Sequence, residues 1–269
     1  MDFAEQGVNT LWGSFEIKNT RLVQKLLQQF NRGPLPIGEQ LKLPQLEILA
    51  DKFQDLPMHF LKFHGGTDID DVLNAMDYSV YVHDVEHIIL DNLQFMISRN
   101  STNGSFDKFD VQDMAIEKFR RFATERNVHI SLVVHPRKED ENTKLGISSI
   151  YGSAKATQEA DTVLILQHDG KRKYIDVKKN RFDGDIGFVP LFFDPKTGRY
   201  SETASTSHFP GATGGGGGGK AVPKPASGVR PRINMAPTAS NTSRAATAVG
   251  DHDDSTSTMD PHSFLSKGL

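Results

Sequence analysis

The stretch that decides the fold is His87-Ile88-Ile89-Leu90-Asp91-Asn92-Leu93-Gln94-Phe95-Met96. Its first four residues include three apolar side chains, two of them β-branched, and they lead directly into an acidic residue. Such a short apolar run is typical of a strand that is buried on both faces of a parallel sheet. Strands of this kind end at the carboxyl edge of the sheet, where α/β proteins hold their ligands. The stretch therefore predicts an α/β fold with Asp91 at that edge.

Asp91 has two interpretations. A carboxylate directly after a buried strand is the Walker B arrangement, in which the acid holds the Mg²⁺ of a bound nucleotide. Asp91 also fits a residue that simply ends a strand or caps the next helix, because an apolar run followed by Asp is a common pattern. The stretch by itself leaves both interpretations open.

The segments on both sides of this stretch alternate between strand-like and helix-like patterns. Strands are predicted at residues 8–12, 58–63, 128–134 and 162–166, and helices at 21–30, 45–53, 69–76, 107–126 and 152–159. A pair of strands at 174–177 and 187–193 is expected to form a hairpin. The alternation predicts a mostly parallel sheet flanked by helices, with antiparallel strands at its far end.

Composition divides the chain near residue 200. Residues 1–200 are predicted to form one α/β domain, whereas residues 201–269 are dominated by Ser, Thr, Ala, Gly and Pro. Such a segment buries too little apolar surface to offset its ordering entropy, so a disordered tail is predicted. Gly214 to Lys220 matches the first seven positions of the P-loop pattern G-x-x-x-x-G-K-S/T. Ala221 replaces the hydroxyl residue, and no strand-to-helix context surrounds the run, so we assign it to the tail.

Several classes of protein are excluded by composition. The chain has no cysteine, which excludes disulfide frameworks and thiolate metal sites. No stretch approaches the roughly 20 apolar residues that span a bilayer. The net charge of −3 means that any binding of nucleic acid must rest on local patches. Residues 1–5 lack an Arg-rich presequence, so any organelle address is absent here or was removed with an upstream region.

Polar side chains follow the other predicted strands. Glu16 follows the first strand, and His135 follows the strand at 128–134. Each also fits a purely structural role, as a solvated acid or as a strand-end histidine bonded to backbone. Because both residues and Asp91 follow strands of one predicted parallel sheet, they could converge on one edge. Gln158 and Arg181 lie near later strands, where a polar helix face and a turn arginine paired with Asp183 are the structural alternatives.

Five segments, in order, resemble the mitochondrial replicative DNA helicases, ring helicases related to the phage T7 primase-helicase and bacterial DnaB. The segments are residues 13–16, 88–96, 134–140, 152–161 and 179–185. The resemblance covers roughly residues 7–200 and implies a RecA-like core. It also implies a homo-oligomeric ring, a hexamer or heptamer, that unwinds DNA in the 5′-to-3′ direction in the mitochondrial matrix nucleoid, together with the mitochondrial replication machinery.

The resemblance further implies an ATP site with Mg²⁺. Glu16 would orient the attacking water, and Asp91 would hold the Mg²⁺. Arg181, with Lys179 beside it, would be the arginine finger that enters a neighbouring subunit's site. Two further residues would sense the γ-phosphate, namely His135 and Gln158. These roles suit phosphoryl transfer, which needs charge stabilisation and an oriented water.

A basic loop after His135 is the predicted contact with single-stranded and forked DNA. Its candidates are Arg137, Lys138 and Lys144, since cations on a loop suit sequence-independent binding of phosphates. Three acidic residues at 139–141 nearly cancel this charge, so a merely solvated loop is the alternative.

In this family the P-loop precedes the strand that contains Trp12. We therefore expect the chain to be the C-terminal part of a helicase that does not hydrolyse ATP by itself, although its parent would. Two other classes stay open. One is another RecA-like ATPase such as a recombinase, and the other is a truncated, non-catalytic interaction subunit.

Overall fold

The computed structural model describes residues 1–36, 43–63, 65–97, 108–137, 143–150, 154–170, 172–202 and 265–267. All of these lie in one compact unit. Its helices are α1 (Asp2–Glu5), α2 (Asn19–Asn31), α3 (Leu43–Gln54), α4 (Ile69–His83), α5 (Leu93–Ile97), α6 (Lys108–Arg126) and α7 (Lys155–Glu159). Its strands are β1 (Thr10–Ser14), β2 (Met58–Leu61), β3 (His87–Asp91), β4 (His129–Leu132), β5 (Thr162–Asp169), β6 (Arg172–Asn180), β7 (Gly187–Asp194), β8 (Arg199–Ser201) and β9 (Leu265–Lys267).

The main sheet has the strand order β4-β3-β1-β2-β9. Strands β1 to β4 are parallel to one another, as the alternating sequence pattern predicts. The quoted stretch forms β3 beside β1, with Thr10 opposite His87 and Ser14 opposite Asp91. The carboxyl ends of β1, β3 and β4 therefore meet at the same edge. Strand β4 is the last in the order, so its outer side has no strand partner among the described residues.

Apolar side chains cover the main sheet on both faces. Leu11, Ile88 and Leu90 are fully buried in one cluster with residues of α4, α5 and α6. Met58 and Phe60 point the other way and pack with residues of α1, α2 and α3. This division follows from the alternation of side chains along a strand. The helices thus form a layer on each side of the sheet.

The second sheet is antiparallel, in the order β5-β6-β7-β8. The predicted hairpin is present as β6 and β7. Among the described residues, β5 pairs with β6 alone, and antiparallel to it. The reason is local, because Gly170 has φ +56° and allows the chain to reverse directly after Asp169.

Helix α6 links α4, in its own helix layer, to the second sheet through partly exposed ion pairs. Lys118 and Arg126 pair with Asp70 and Asp77 of α4, with nitrogen–oxygen distances of 2.5 Å in both cases. Towards the second sheet, two further pairs join α6 to α7 and to the residue before β5, namely Glu117–Lys155 and Arg120–Asp161. Helix α6 therefore connects α4 to α7 and to the residue that precedes β5.

Four short elements are absent from the sequence prediction, namely α1, α5, β8 and β9. Residues 265–267 of the predicted tail form β9, which pairs antiparallel with β2. Residues 203–264 and 268–269, including the glycine run, lie outside the described residues. Within the described ranges, every helix is too short or too polar to cross a bilayer.

Candidate active site

Glu16 and His135 meet at the carboxyl edge of the main sheet. Glu16 lies just after β1, and His135 lies just after β4. The Nε2 atom of His135 lies 3.2 Å from Oε2 of Glu16. Both side chains remain accessible, with exposed fractions of 53% for His135 and 36% for Glu16. The edge therefore presents a carboxylate and an imidazole that a ligand can reach.

Asn92 completes this cluster, a role that the sequence motifs do not predict. Its side chain is fully buried, and Nδ2 donates a hydrogen bond to Oε2 of Glu16 at 2.5 Å. Its Oδ1 atom accepts a hydrogen bond from the backbone N–H of Phe95 at 3.0 Å, in the first turn of α5. An Asn directly before a helix is a typical capping residue, and this is the only signal of Asn92 in the sequence.

Gln94 ties His135 to α5. Its Nε2 donates to the carbonyl oxygen of His135 at 3.2 Å, and its Oε1 accepts from the backbone N–H of His135 at 3.3 Å. These reciprocal bonds fix the backbone of the segment that carries the imidazole. Asn92 therefore holds the side chain of Glu16 after β1, and Gln94 holds the backbone of His135 after β4.

Asp91 is half-buried at the same edge. Burial and the nearby charge of Glu16 raise the pKa of its carboxyl, and His135 opposes this rise. Carboxylate oxygens suit Mg²⁺, which proteins usually hold through one or two carboxylates together with phosphate oxygens and waters. The described residues contain no group of three or more side chains that could hold a metal ion. The role of Asp91 as a ligand of Mg²⁺ therefore stays a prediction.

A second group of predicted site residues surrounds the C-terminal end of α7. Nη2 of Arg181 donates to the carbonyl oxygen of Gln158 at 2.6 Å, and Nζ of Lys179 donates to the same oxygen at 3.0 Å. Arg181 also pairs with Asp161 at 3.3 Å, rather than with Asp183, which accepts from Asn180. None of these hydrogen bonds reaches Glu16 or His135.

The predicted DNA-binding loop is partly described. Arg137 is exposed, and Lys144 lies 3.7 Å from the carboxylate of Asp176 and over the ring of Phe188. Pro136 pairs with Ile150, which brings the two ends of the loop together. Lys138 lies outside the described residues, as do residues 139–142.

Comparisons with solved structures agree with this architecture. A solved ATPase domain matches with a TM-score of 0.64 at 13% identity, covering 74% of this chain and 76% of that chain. A DnaB-like replicative helicase, described with its interactions with primase, matches with a TM-score of 0.60 at 14% identity. That match covers 73% of this chain and 51% of that chain. At such identities the likeness concerns the fold, which is the RecA-like α/β fold expected from the sequence.

A family model matches the part of the chain that forms the cluster of Glu16, Asn92 and His135, which we call the Glu16 cluster. The family model described as "AAA domain" matches residues 1–141, which is more than half of the 269 residues. The matched region contains β1 to β4 and all the residues of the Glu16 cluster. The chain belongs to this AAA domain family.

Proposed function

We propose that the chain functions in the motor of an ATP-dependent replicative DNA helicase of the Twinkle type. The observation that carries this proposal is the cluster of Glu16, Asn92 and His135 beside Asp91, at the carboxyl edge of a RecA-like sheet. The five motifs of the sequence support the mitochondrial assignment, a location in the matrix nucleoid and 5′-to-3′ movement.

Glu16 acts in this proposal as the base that orients water. Asn92 and His135 both contact Oε2, so the carboxylate is held in one orientation while part of it remains exposed. ATP and Mg²⁺, when bound, supply the phosphoryl group and neutralise its charge, with Asp91 as the protein ligand of the ion. His135 contacts Glu16 directly, so it links the γ-phosphate to the position of the base.

The remaining predicted residues act between subunits and on DNA. Arg181, with Lys179, enters the site of the next subunit of a hexameric or heptameric ring and stabilises negative charge there. Gln158 acts as a γ-phosphate sensor. The loop with Arg137, Lys138 and Lys144 follows the phosphates of single-stranded DNA at the fork. The motifs support these roles, and partners in mitochondrial replication follow from the same resemblance.

The test is Glu16→Gln in the full-length protein that contains this chain. We expect ATP hydrolysis to fall by about 10²–10⁴-fold, the range of general base catalysis, while ATP binding is retained. Glu125→Gln, at an exposed position of α6, is the matched control and should hydrolyse ATP like the unmodified protein. Turnover by Glu16→Gln at the unmodified rate would contradict the proposed role.

A second candidate is a non-catalytic subunit. It is favoured by the sequence of the 269-residue chain, in which the P-loop-like run carries Ala221 in place of a hydroxyl residue. A P-loop supplies the backbone amides and the lysine that grip the phosphates, so we expect no micromolar ATP affinity for the chain alone. Calorimetry of the chain, with and without residues 201–269, tests this. Tight binding that survives the deletion would exclude this candidate.

A further inference from the structure

We propose that Asp161 is a positioning residue that fixes Arg181 against the end of α7. The turn that carries Arg181 and the helix that carries Gln158 then move as one unit. The inference rests on the helicase function proposed above, because it concerns the orientation of the arginine finger. Neither the family match nor the sequence motifs assign a role to Asp161.

Arg181 is held by three hydrogen bonds to residues 158–161. Its backbone N–H donates to the carbonyl oxygen of Asp161 at 2.9 Å. Its Nη1 donates to Oδ1 of Asp161 at 3.3 Å, and its Nη2 donates to the carbonyl oxygen of Gln158 at 2.6 Å. Both the backbone and the guanidinium of Arg181 are thus fixed, although half of its side chain is exposed.

Asp161 is itself anchored from the opposite side. Its Oδ2 atom accepts from Nη1 of Arg120 in α6, so its two oxygens serve two different guanidinium groups. The hydrogen bond from Arg120, followed by Arg181, lowers the pKa of the Asp161 carboxyl and keeps it ionised near neutral pH. Asp161 therefore fixes Arg181 relative to α6, on which the main-sheet core also packs.

Lys179 reinforces the same end of α7. Its Nζ donates to the carbonyl oxygens of Thr157 and Gln158 at 2.6 and 3.0 Å. Any shift of Gln158 towards or away from a nucleotide must therefore displace Lys179 and Arg181 as well. In a ring, Gln158 responds to its own site and Arg181 serves the next one, so this contact couples neighbouring sites mechanically.

The kinetic test uses Asp161→Asn in the full-length ring. If Arg181 is no longer held in its orientation, kcat for ATP hydrolysis should fall by about 10- to 100-fold while KM changes less than about twofold. The reason is that an arginine finger stabilises the transition state rather than the bound substrate. Asp161→Glu should restore part of the rate. Asp169→Asn, at the other end of β5, is the matched control and should leave kcat unchanged.

A double substitution separates positioning from general stability. Asp161→Asn should cause no further loss of kcat in an Arg181→Ala background, because the group that Asp161 positions is already absent. A full additional loss there would overturn the inference. If the Arg181→Ala variant hydrolysed ATP at the unmodified rate, the role of Arg181 as an arginine finger would be wrong. A spectroscopic measurement would then decide whether Asp161 positions Arg181.

The spectroscopic measurement is nitrogen-15 NMR of the 269-residue chain, which reports how fast the Arg181 guanidinium rotates. The contacts in the structure predict slow rotation about the Nε–Cζ bond in the unmodified chain and in Asp169→Asn. Rotation should become fast in Asp161→Asn. Equal rotation rates in all three proteins would overturn the inference, whatever the kinetics show.

Discussion

At the residue scale, the molecule depends on side chains that serve two partners at once. Asn92 is the clearest case, since it caps α5 through Oδ1 and holds Glu16 through Nδ2. The first bond fixes which end of the amide faces Glu16, because only the NH₂ group is left to meet the carboxylate. The orientation of the proposed base is therefore set by the start of a helix.

Asn92→Ala should remove both interactions. The lost cap and the lost hydrogen bond to a charged group should lower the free energy of unfolding by about 2–4 kcal/mol in total. Asn92→Asp should keep the cap yet repel Glu16, so hydrogen exchange in α5 should accelerate less than in Asn92→Ala. Denaturant titration and exchange mass spectrometry measure these effects, with Asn74→Ala at an exposed site of α4 as control. Unchanged exchange in α5 of Asn92→Ala would refute the capping role.

At the element scale, strands β3 and β4 contact each other through two histidines on the face opposite Leu90. The buried ring of His87 lies against His129, with 4.9 Å between ring centroids, and against Phe3 at 4.6 Å. The hydroxyl of Ser131 lies 3.0 Å from Nε2 of His87. Burial, with repulsion from His129 added, lowers the pKa of His87 from 6.5 to about 4. The folded protein therefore favours the neutral imidazole.

This contact should make the stability of the fold depend on pH. Between pH 6.5 and about 4 the unfolded chain binds a proton at His87 that the folded chain does not bind. The free energy of unfolding should thus fall by about 3 kcal/mol as the pH is lowered through this window. Urea titrations followed by the fluorescence of Trp12 measure it. The slope should be lost in His87→Gln and kept in His168→Gln, an exposed control; a slope that persists in His87→Gln would contradict the assignment.

At the scale of the whole molecule, each sheet has two end strands without an outer partner among the described residues, namely β4 and β9 in the main sheet and β5 and β8 in the second sheet. Val133, directly after the end strand β4, is 41% exposed. An unpaired strand edge with apolar side chains is a template for pairing with another chain. The isolated chain is therefore expected to be prone to association.

Self-association of the chain should rise with its concentration and should be accompanied by binding of a hydrophobic dye. Val133→Lys should reduce both effects, because a lysine at a strand edge opposes pairing with a second copy. Light scattering and dye fluorescence measure them, with Val82→Lys on the exposed side of α4 as control. A strictly monomeric, dye-free chain at high concentration would show that the edge is protected.

The sequence predicted the features that depend on local periodicity. The parallel strands and the approach of Glu16 to His135 follow from where the apolar runs end. The partner of Arg181 could not be predicted from periodicity. Asp161 lies 20 positions away and is brought close by the pairing of Thr162 with Asn180. The role of Asn92 was missed for a similar reason, since a buried amide looks like any residue before a helix until its second partner is known.

The ion pairs of α6 make the attachment of the antiparallel sheet depend on salt concentration. Glu117–Lys155 and Arg120–Asp161 are partly exposed, and pairs of that kind weaken as mobile ions screen them over about 10 Å at 0.1 M ionic strength. The apolar layers on the main sheet carry no charge and do not weaken in this way. Raising the ionic strength should therefore loosen the attachment of the antiparallel sheet to α6 while the parallel sheet stays intact.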